Sequence, residues 1–223
     1  MNKPVIGITS GDTLSEKYIG AVINAGGSPV ILKKDGDPEK AAKDCGGLIF
    51  SGGGDILPEL FGVRDYDPTL IRGTDIKRDE YELRLAKLAY ESKTPTLGIC
   101  RGIQVMNAAL CGTLIFDLPG HSQESARDIP THDVIAAGAT LLAEILGTKP
   151  GERLAVNSFH HQAVGRISES LRLSAASADG VIEGIEAKDP DRFFVGVQWH
   201  PECLRDMASG RLFSALVKAA VSR

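Results

Sequence analysis

Short apolar segments alternate with amphipathic ones through the first half of this chain, and this alternation constrains the fold more than any other feature. The apolar segments are typical of buried strands and comprise Pro4–Thr9, Pro29–Leu32, Gly47–Phe50 and Thr94–Ile99. The amphipathic segments predict helices over Leu14–Ala25, Pro38–Asp44, Lys77–Ser92 and Arg101–Leu110. Because the strands are continuously apolar and alternate with helices, we expect an α/β fold with a parallel sheet covered on both faces.

The second half of the chain is richer in predicted strands. These are Asp133–Ala136, Arg153–Val156, Leu171–Ala176, Val181–Ala187 and Phe193–Gln198, separated by Gly, Ser and Asp-Pro turn signals. Two more helices are expected over Leu141–Leu146 and Leu204–Ala220, and Gly62–Asp75 is predicted to be a surface loop. No internal repeat or linker divides the sequence, so we predict a single domain over residues 1–223.

Composition excludes several classes of partner. The net charge of −4 gives no indication of a basic surface that would bind nucleic acid or an anionic membrane. No apolar run is long enough to span a bilayer. The four cysteines have irregular spacings, and the N-terminal residues do not resemble a signal peptide. We therefore expect free thiols in a cytoplasmic protein, and the sequence leaves a homodimer open.

Cys100 stands where a predicted strand turns into a predicted helix. Gly98 and Gly102 flank it at the spacing G-x-C-x-G, which relieves crowding at the apex of a strand–turn–helix elbow. Such an elbow would place the sulfur at a helix N-terminus, where partial positive charge favours the thiolate. The motif predicts a nucleophilic cysteine, and the alternative is a buried structural cysteine in a glycine-punctuated turn.

His200 and Glu202 follow the last predicted strand and lie on either side of Pro201. Side chains two positions apart in an extended segment point the same way, so we expect Glu202 to hold one nitrogen of the ring. The other nitrogen could then face Cys100, which would complete a nucleophile, a base and an orienting acid. The sequence therefore predicts an enzyme that cleaves or transfers an acyl group.

Two further segments are expected to line the site, because ligands of parallel α/β sheets bind beyond the carboxyl ends of the strands. Glycines at 52–54 would let backbone N–H groups approach a ligand, and one of them could form an oxyanion hole with the N–H of Arg101. The polar residues after the strand at 153–156 could also line the pocket: Asn157, Ser158, His160, His161 and Gln162. Adjacent residues of an extended chain point in opposite directions, so His160 and His161 make a poor ligand pair, and we expect no metal and no cofactor.

Taken together, these motifs resemble the class I glutamine amidotransferase superfamily, and more closely its gamma-glutamyl-gamma-aminobutyrate hydrolase branch (peptidase family C26). The matching segments span nearly the whole chain: 7–9, 51–55, 78–82, 97–104, 112–113, 117–118, 156–162 and 196–202. The resemblance implies a flavodoxin-like three-layer α/β/α fold, with a mostly parallel central sheet and extra strands in the C-terminal half. It implies that Cys100, His200 and Glu202 hydrolyse a small γ-glutamyl amide through a glutamyl thioester.

The resemblance also implies roles for individual residues. Gly53 and Arg101 would supply the oxyanion N–H groups, and Gly54, Gln104 and the 157–162 segment would hold the substrate. Ammonia-supplying relatives typically carry an Asp near the position of Gln162, and its absence argues against glutamine itself as the substrate. Two alternatives stay open: a glutaminase subunit that passes ammonia to a separate synthetase, and a catalytically silent binding protein of the same fold.

Overall fold

The computed structural model describes residues 3–221, and within that range the chain forms eleven strands and six helices. The strands are β1 Val5–Thr9, β2 Ser28–Leu32, β3 Gly47–Phe50, β4 Thr96–Ile99, β5 Leu114–Ile115, β6 His132–Ala136, β7 Arg153–Val156, β8 Ala163–Val164, β9 Leu171–Ser177, β10 Ile182–Ala187 and β11 Phe194–Val197. The helices are α1 Glu16–Asn24, α2 Pro38–Asp44, α3 Ile76–Glu91, α4 Arg101–Ala109, α5 Leu141–Leu146 and α6 Met207–Val221.

All eleven strands belong to one sheet, in which one half pairs in parallel and the other half pairs antiparallel. Strands β2, β1, β3, β4 and β11 lie side by side in that order and pair in parallel. This is the flavodoxin-like order, in which ligands bind beyond the carboxyl ends of the strands. Beyond β11 the sheet continues with β10, β9, β6 and β7, which pair antiparallel. The predicted α/β fold with a parallel central sheet and added C-terminal strands is confirmed.

Helices cover both faces of the parallel strands and give the three layers. Successive residues of β3 point to opposite faces, so Leu48 and Phe50 enter one hydrophobic core while Ile49 enters the other. The core around Leu48 is closed by α2, α3 and α4, and the core around Ile49 is closed by α1, α5 and α6. Burial on both faces explains why these strands are apolar at every position.

Several element boundaries differ from the sequence expectations, and the side chains at the ends explain two of them. Helix α1 begins at Glu16 because the Ser15 hydroxyl accepts the backbone N–H of Lys17. The last helix begins at Met207 and not at the predicted Leu204, because residues 201–203 form a separate 3₁₀ turn and Asp206 accepts the N–H of Ser209 at 2.8 Å. Strands β5 and β8 have two residues each, too few to show a period in the sequence.

Residues 62–75 are an irregular surface segment interrupted by one 3₁₀ turn at Pro68–Leu70, as predicted. The single-domain prediction covers residues 1–223, of which 1, 2, 222 and 223 lie outside the described residues. None of the helices within 3–221 combines the length and the apolar character needed to cross a bilayer.

Candidate active site

Cys100 occupies a strained turn between β4 and α4. Its φ of 54° and ψ of −108° place it outside the regions that side chains ordinarily adopt, and its N–H donates to the carbonyl of Val197 at 2.9 Å. A Cβ atom at Gly98 would lie 2.3 Å from the sulfur of Met106, and one at Gly102 would lie 2.1 Å from the carbonyl oxygen of Phe50. Both glycines are therefore required by close packing, and the elbow has the form that the G-x-C-x-G spacing predicts.

His200 lies at the carboxyl end of β11, and its ring is held by Glu202. The distance from Nδ1 to Glu202 Oε1 is 2.7 Å, and both side chains are buried. The expected extended conformation was wrong, because residues 201–203 form a 3₁₀ turn. Pro201 occupies the first position of this turn, where its fixed φ suits a helical start. The contact between the ring and the carboxylate thus arises from a tight turn and not from the side-chain alternation of a strand.

The backbone of His200 is clamped by Asn157. The side-chain oxygen of Asn157 accepts the N–H of His200 at 2.8 Å, while its amide nitrogen donates to the carbonyl of His200 at 3.1 Å. The same nitrogen donates to the carbonyl of Arg127 at 2.6 Å. Both polar groups of the Asn157 side chain are thereby engaged by backbone, so this residue positions His200.

Cys100 and His200 meet above Gly52. A Cβ atom at Gly52 would lie 2.8 Å from His200 Cε1 and 3.6 Å from Cys100 Cβ. The side chains of His200 and Cys100 therefore both lie next to Gly52. Burial lowers the pKa of His200, but the negative charges of Cys100 and Glu202 outweigh burial and raise this pKa to about 10. The site therefore favours an imidazolium between a sulfur and a carboxylate at neutral pH.

Tyr18 reaches the backbone of Gly52 from helix α1. Its hydroxyl accepts the N–H of Gly52 at 3.0 Å. Burial and the nearby charge of Glu202 raise the pKa of Tyr18 well above its usual value, so the hydroxyl stays protonated and can donate. Sequence reasoning missed Tyr18, since a tyrosine on an apolar helix face gives no catalytic signal, whereas Gly52 belongs to the glycines at 52–54 that it singled out.

The two predicted oxyanion donors, Gly53 and Arg101, have backbone N–H groups that no protein acceptor takes among residues 3–221. A Cβ atom at Gly53 would lie 2.2 Å from Nη1 of Arg78 and 3.3 Å from Cδ of Arg101, so both arginines pack against this glycine. Arg78 Nη2 donates to the carbonyl oxygens of Ser51 and Gly52 at 3.1 and 3.0 Å. Arg78 thus fixes the turn that carries Gly53.

The Arg101 side chain is engaged in a buried charge cluster. It forms ion pairs with Asp79 and Glu82, and Glu82 also accepts a hydrogen bond from Nε of Arg78 at 2.8 Å. All four side chains are at most 7% exposed. Burial, helped by the charge of Arg78, lowers the pKa of Arg101 to about 9. The i,i+4 spacing of Arg78 and Glu82 on one helix was the signal for part of this cluster.

The structure brings Gln104 and Gln162 together. Gln104 Nε2 donates to the backbone carbonyl of Gln162 at 3.0 Å and to Oε1 of Gln198 at 3.3 Å. Gln162 Nε2 donates to the carbonyl of Phe116 at 3.3 Å, while its Oε1 is buried with no hydrogen-bond partner. Gln162 Oε1 is thus a hydrogen-bond acceptor without a donor, in a residue that contacts Gln104 of α4.

The other residues predicted to hold substrate are committed to the protein. The Ser158 hydroxyl donates to the carbonyl of His121 at 2.6 Å. His161 Nε2 lies 3.1 Å from the carboxylate of Asp55. A Cβ atom at Gly54 would lie 2.1 Å from the carbonyl oxygen of Gly73, so Gly54 packs against the 62–75 segment.

His160 also points away from the triad, since its Nε2 lies 3.5 Å from Glu183. Within residues 3–221, the histidines and acids that have the spacing of metal ligands are His121, His132 and Glu183, and none of these belongs to the triad.

Two clefts meet over the glycine turn at residues 52 and 53. One has a volume of about 460 Å³ and is lined by Tyr18, His200 and Glu202. The other has a volume of about 720 Å³ and is lined by Arg78 and Arg101. A third cleft of about 750 Å³ lies between α1 and α6 and touches only Glu202 of the triad. The first two clefts give a small substrate access to the glycine turn from both sides.

Comparison with known proteins identifies related chains. The model of the family described as Peptidase C26 matches residues 2–202. A Schizosaccharomyces pombe protein named "Putative glutamine amidotransferase" is 33% identical over 213 residues, which cover 92% of this chain and 81% of that protein. The gamma-glutamyl-gamma-aminobutyrate hydrolase of Escherichia coli is 30% identical over 227 residues, which cover 91% of this chain and 87% of that protein.

A solved structure supports the fold. The glutaminase domain of Trypanosoma brucei CTPS superposes with a TM-score of 0.70 over 99% of this chain and 94% of that domain, at 15% sequence identity. At this identity the likeness shows a common fold and carries no conclusion about the reaction.

Proposed function

This chain belongs to the peptidase C26 family, and we propose that it is a cysteine-dependent hydrolase of γ-glutamyl amide bonds. Membership of the family supports a hydrolase, and the resemblance to a gamma-glutamyl-gamma-aminobutyrate hydrolase favours this substrate class. The observation that carries the proposal is the meeting of Cys100, His200 and Glu202 above Gly52 at the carboxyl edge of the parallel strands.

In the first half of the proposed reaction, Cys100 attacks the carbonyl carbon of the γ-glutamyl amide. His200 holds the proton of the thiol, so the sulfur attacks as a thiolate. The negative charge that develops on the carbonyl oxygen is stabilised by the backbone N–H groups of Gly53 and Arg101. The carbon–nitrogen bond then breaks, His200 gives its proton to the departing amine, and a glutamyl thioester remains on the sulfur.

In the second half, water hydrolyses the thioester. His200, now neutral, takes a proton from the water as the oxygen attacks the thioester carbon. The carbon–sulfur bond breaks, glutamate leaves, and Cys100 and His200 regain their starting state. Glu202 orients the ring through Nδ1 in both halves, and Asn157 holds the backbone of His200.

We propose that the glutamyl part of the substrate lies against Gln104 and Gln162. The Oε1 atom of Gln162 lacks a hydrogen-bond partner and would accept a hydrogen from the α-ammonium group. Because this acceptor is a neutral amide, it binds the ammonium more weakly than a carboxylate would. The enzyme then needs contacts with the leaving amine, which favours γ-glutamyl amides that are larger than glutamine.

A glutaminase subunit is the second candidate function. The relative named "Putative glutamine amidotransferase" favours it, since that protein is 33% identical to this chain and the hydrolase is 30% identical. The two candidates share the chemistry at Cys100 and differ in substrate and in dependence on a synthetase partner.

A substrate panel tests the proposal. The purified chain is incubated with γ-glutamyl-γ-aminobutyrate, γ-glutamyl alkylamides and glutamine, and the release of glutamate and amine is measured. Cys100→Ala is the test variant, and Cys111→Ala is the matched control because Cys111 is an exposed cysteine outside the site. We expect turnover of γ-glutamyl amides by the parent and by Cys111→Ala only. Turnover of glutamine alone would favour the second candidate, and equal turnover by Cys100→Ala would reject both.

A further inference from the structure

Three histidines surround one buried carboxylate on the antiparallel side of the sheet. Glu183 of β10 is 1% exposed, and its Oε1 atom lies 3.3 Å from His121 Nδ1, 3.1 Å from His132 Nε2 and 3.5 Å from His160 Nε2. The four residues come from separate parts of the chain, so their convergence was invisible in the sequence. We call these four residues the histidine–glutamate cluster.

Two of the three histidines do not hydrogen-bond to Glu183 despite the short separations. His121 Nδ1 and His160 Nε2 are both buried without a hydrogen-bond partner. Buried polar atoms are nearly always paired, so two unpaired nitrogens beside one carboxylate require an explanation. The positions of these two nitrogens suit atoms arranged around a bound ion better than hydrogen-bond donors directed at Glu183 Oε1.

The second nitrogen of each of these rings indicates which nitrogen carries the proton. His160 Nδ1 lies 3.0 Å from the carbonyl oxygen of Gln162, which can only accept, so Nδ1 carries the hydrogen. His121 Nε2 lies 3.0 Å from the carboxylate of Asp179, so Nε2 is the donor there. The nitrogen of each ring that faces Glu183 is then the one available as a ligand to a cation.

The distances from Glu183 Oε1 to the nearby histidine nitrogens are close to those between ligand atoms in a tetrahedral zinc site. Bonds of about 2.0–2.2 Å from Zn²⁺ to nitrogen and oxygen place neighbouring ligand atoms about 3.3 Å apart. The three separations from Glu183 Oε1 bracket this value. The outer contacts of His121 and His160 also match the pattern in which a metal-bound histidine donates its other N–H to a carboxylate or a backbone carbonyl.

We propose that the histidine–glutamate cluster binds one divalent cation of the zinc type, with His121, His132 and Glu183 as ligands and His160 beside the site. The donor atoms of the three ligands lie within 4.8 Å of one another, and the ring of His132, which is 17% exposed, gives a path of entry. The proposal departs from the sequence expectation of no metal and is independent of the reaction at Cys100.

The bound ion would stabilise the long connection between β5 and β6. This connection contains His121 and is otherwise held to the 157–162 segment by contacts such as the hydrogen bond from Ser158 N–H to Gln123 at 2.8 Å. The ion would tie it to β6 through His132 and to β10 through Glu183. Because Asn157 of the same segment clamps His200, the site is structural and supports the wall of the active site.

Zinc binding to the purified full-length chain tests the proposal. Metal is removed with a chelator, Zn²⁺ is added back, and its stoichiometry is measured by elemental analysis after gel filtration. All variants carry Cys100→Ala, so that the reactive thiol cannot compete for zinc. The test variants are Glu183→Gln and His132→Asn, and the matched control is His161→Asn, a histidine next to the cluster that points to Asp55.

We expect one zinc per chain in the parent and in His161→Asn, and none in the two test variants. The melting temperature of the parent should rise by roughly 5–10 °C at a free zinc concentration about 100 times Kd. If Glu183→Gln does not fold, His132→Asn decides the question, because its side chain lies at the partly exposed edge. No zinc in the parent, equal zinc in His132→Asn, or loss of zinc in His161→Asn would overturn the proposal.

Discussion

The same substitution, glycine to alanine in a helix, should have opposite effects at Gly102 and at Gly20. Alanine favours a helix interior over glycine by about 1 kcal/mol, which applies in full at Gly20 and is the upper limit at Gly102 in the first turn of α4. At Gly20 in α1 no atom lies within 4 Å of the new methyl group, so this gain should be retained. At Gly102 in α4 the methyl group would lie 2.1 Å from the carbonyl oxygen of Phe50, and the helix and β3 must separate by roughly 1 Å.

The magnitudes follow from these contacts. Overpacking costs about 1–3 kcal/mol, and the upper end applies at Gly102 because the obstructing atom is backbone. After the helix gain, Gly102→Ala should lose about 2 kcal/mol of unfolding free energy, which lowers the melting temperature by about 4–8 °C. Gly20→Ala should raise it by about 2–4 °C. Because Gly102 supports the elbow, a 1 Å shift of Cys100 should also lower kcat/KM by about 100-fold.

Differential scanning calorimetry and turnover of the best substrate check both expectations. Gly20→Ala controls for the loss of glycine flexibility and should keep the parent's activity. The reasoning is refuted if Gly102→Ala is as stable as the parent and retains full kcat/KM.

Three other substitutions probe the site. Glu202→Gln should lower the pKa of His200, because a negative charge that raises it is removed, so the fall in kcat/KM expected near pH 10 should move to lower pH. An unchanged pH profile of kcat/KM contradicts this. Asn157→Ala removes both hydrogen bonds to the His200 backbone and should lower the free energy of urea unfolding by about 1–3 kcal/mol. It should also affect kcat more than KM. An effect confined to KM would instead indicate a direct contact between Asn157 and the substrate. Glu82→Gln breaks a buried ion pair with Arg101 and should lose about 3–5 kcal/mol of unfolding free energy; a loss below about 1 kcal/mol would show that the pair is compensated.

The sequence predicts features that depend on neighbouring residues and misses those that depend on distant ones. The elbow at Cys100 was predictable because its two glycines lie two residues away along the chain, although one of them is required by a contact with the distant Phe50. The contact between His200 and Glu202 was predicted from the wrong backbone conformation, since a strand and a 3₁₀ turn both allow side chains two residues apart to meet. Tyr18 gave no signal, because it is brought to the site by the packing of α1 on the sheet.

The histidine–glutamate cluster shows the same limit more strongly. His121 and His132 come from the connection between β5 and β6 and from the start of β6, while Glu183 comes from β10. Their pairing depends on the antiparallel order of the C-terminal strands, which hydrophobic patterns alone do not specify. Metal-ligand spacing in a sequence detects only sites whose ligands are close together along the chain.

A covalent glutamyl group on Cys100 is the intermediate on which the proposed reaction depends. The purified chain can be mixed with a γ-glutamyl amide, quenched in acid within the first turnover, and analysed by intact mass and peptide mapping. We expect one glutamyl group per chain, located on the peptide that contains Cys100 and absent from Cys100→Ala. Turnover without this adduct, or a glutamyl group attached to any other residue, would contradict the account.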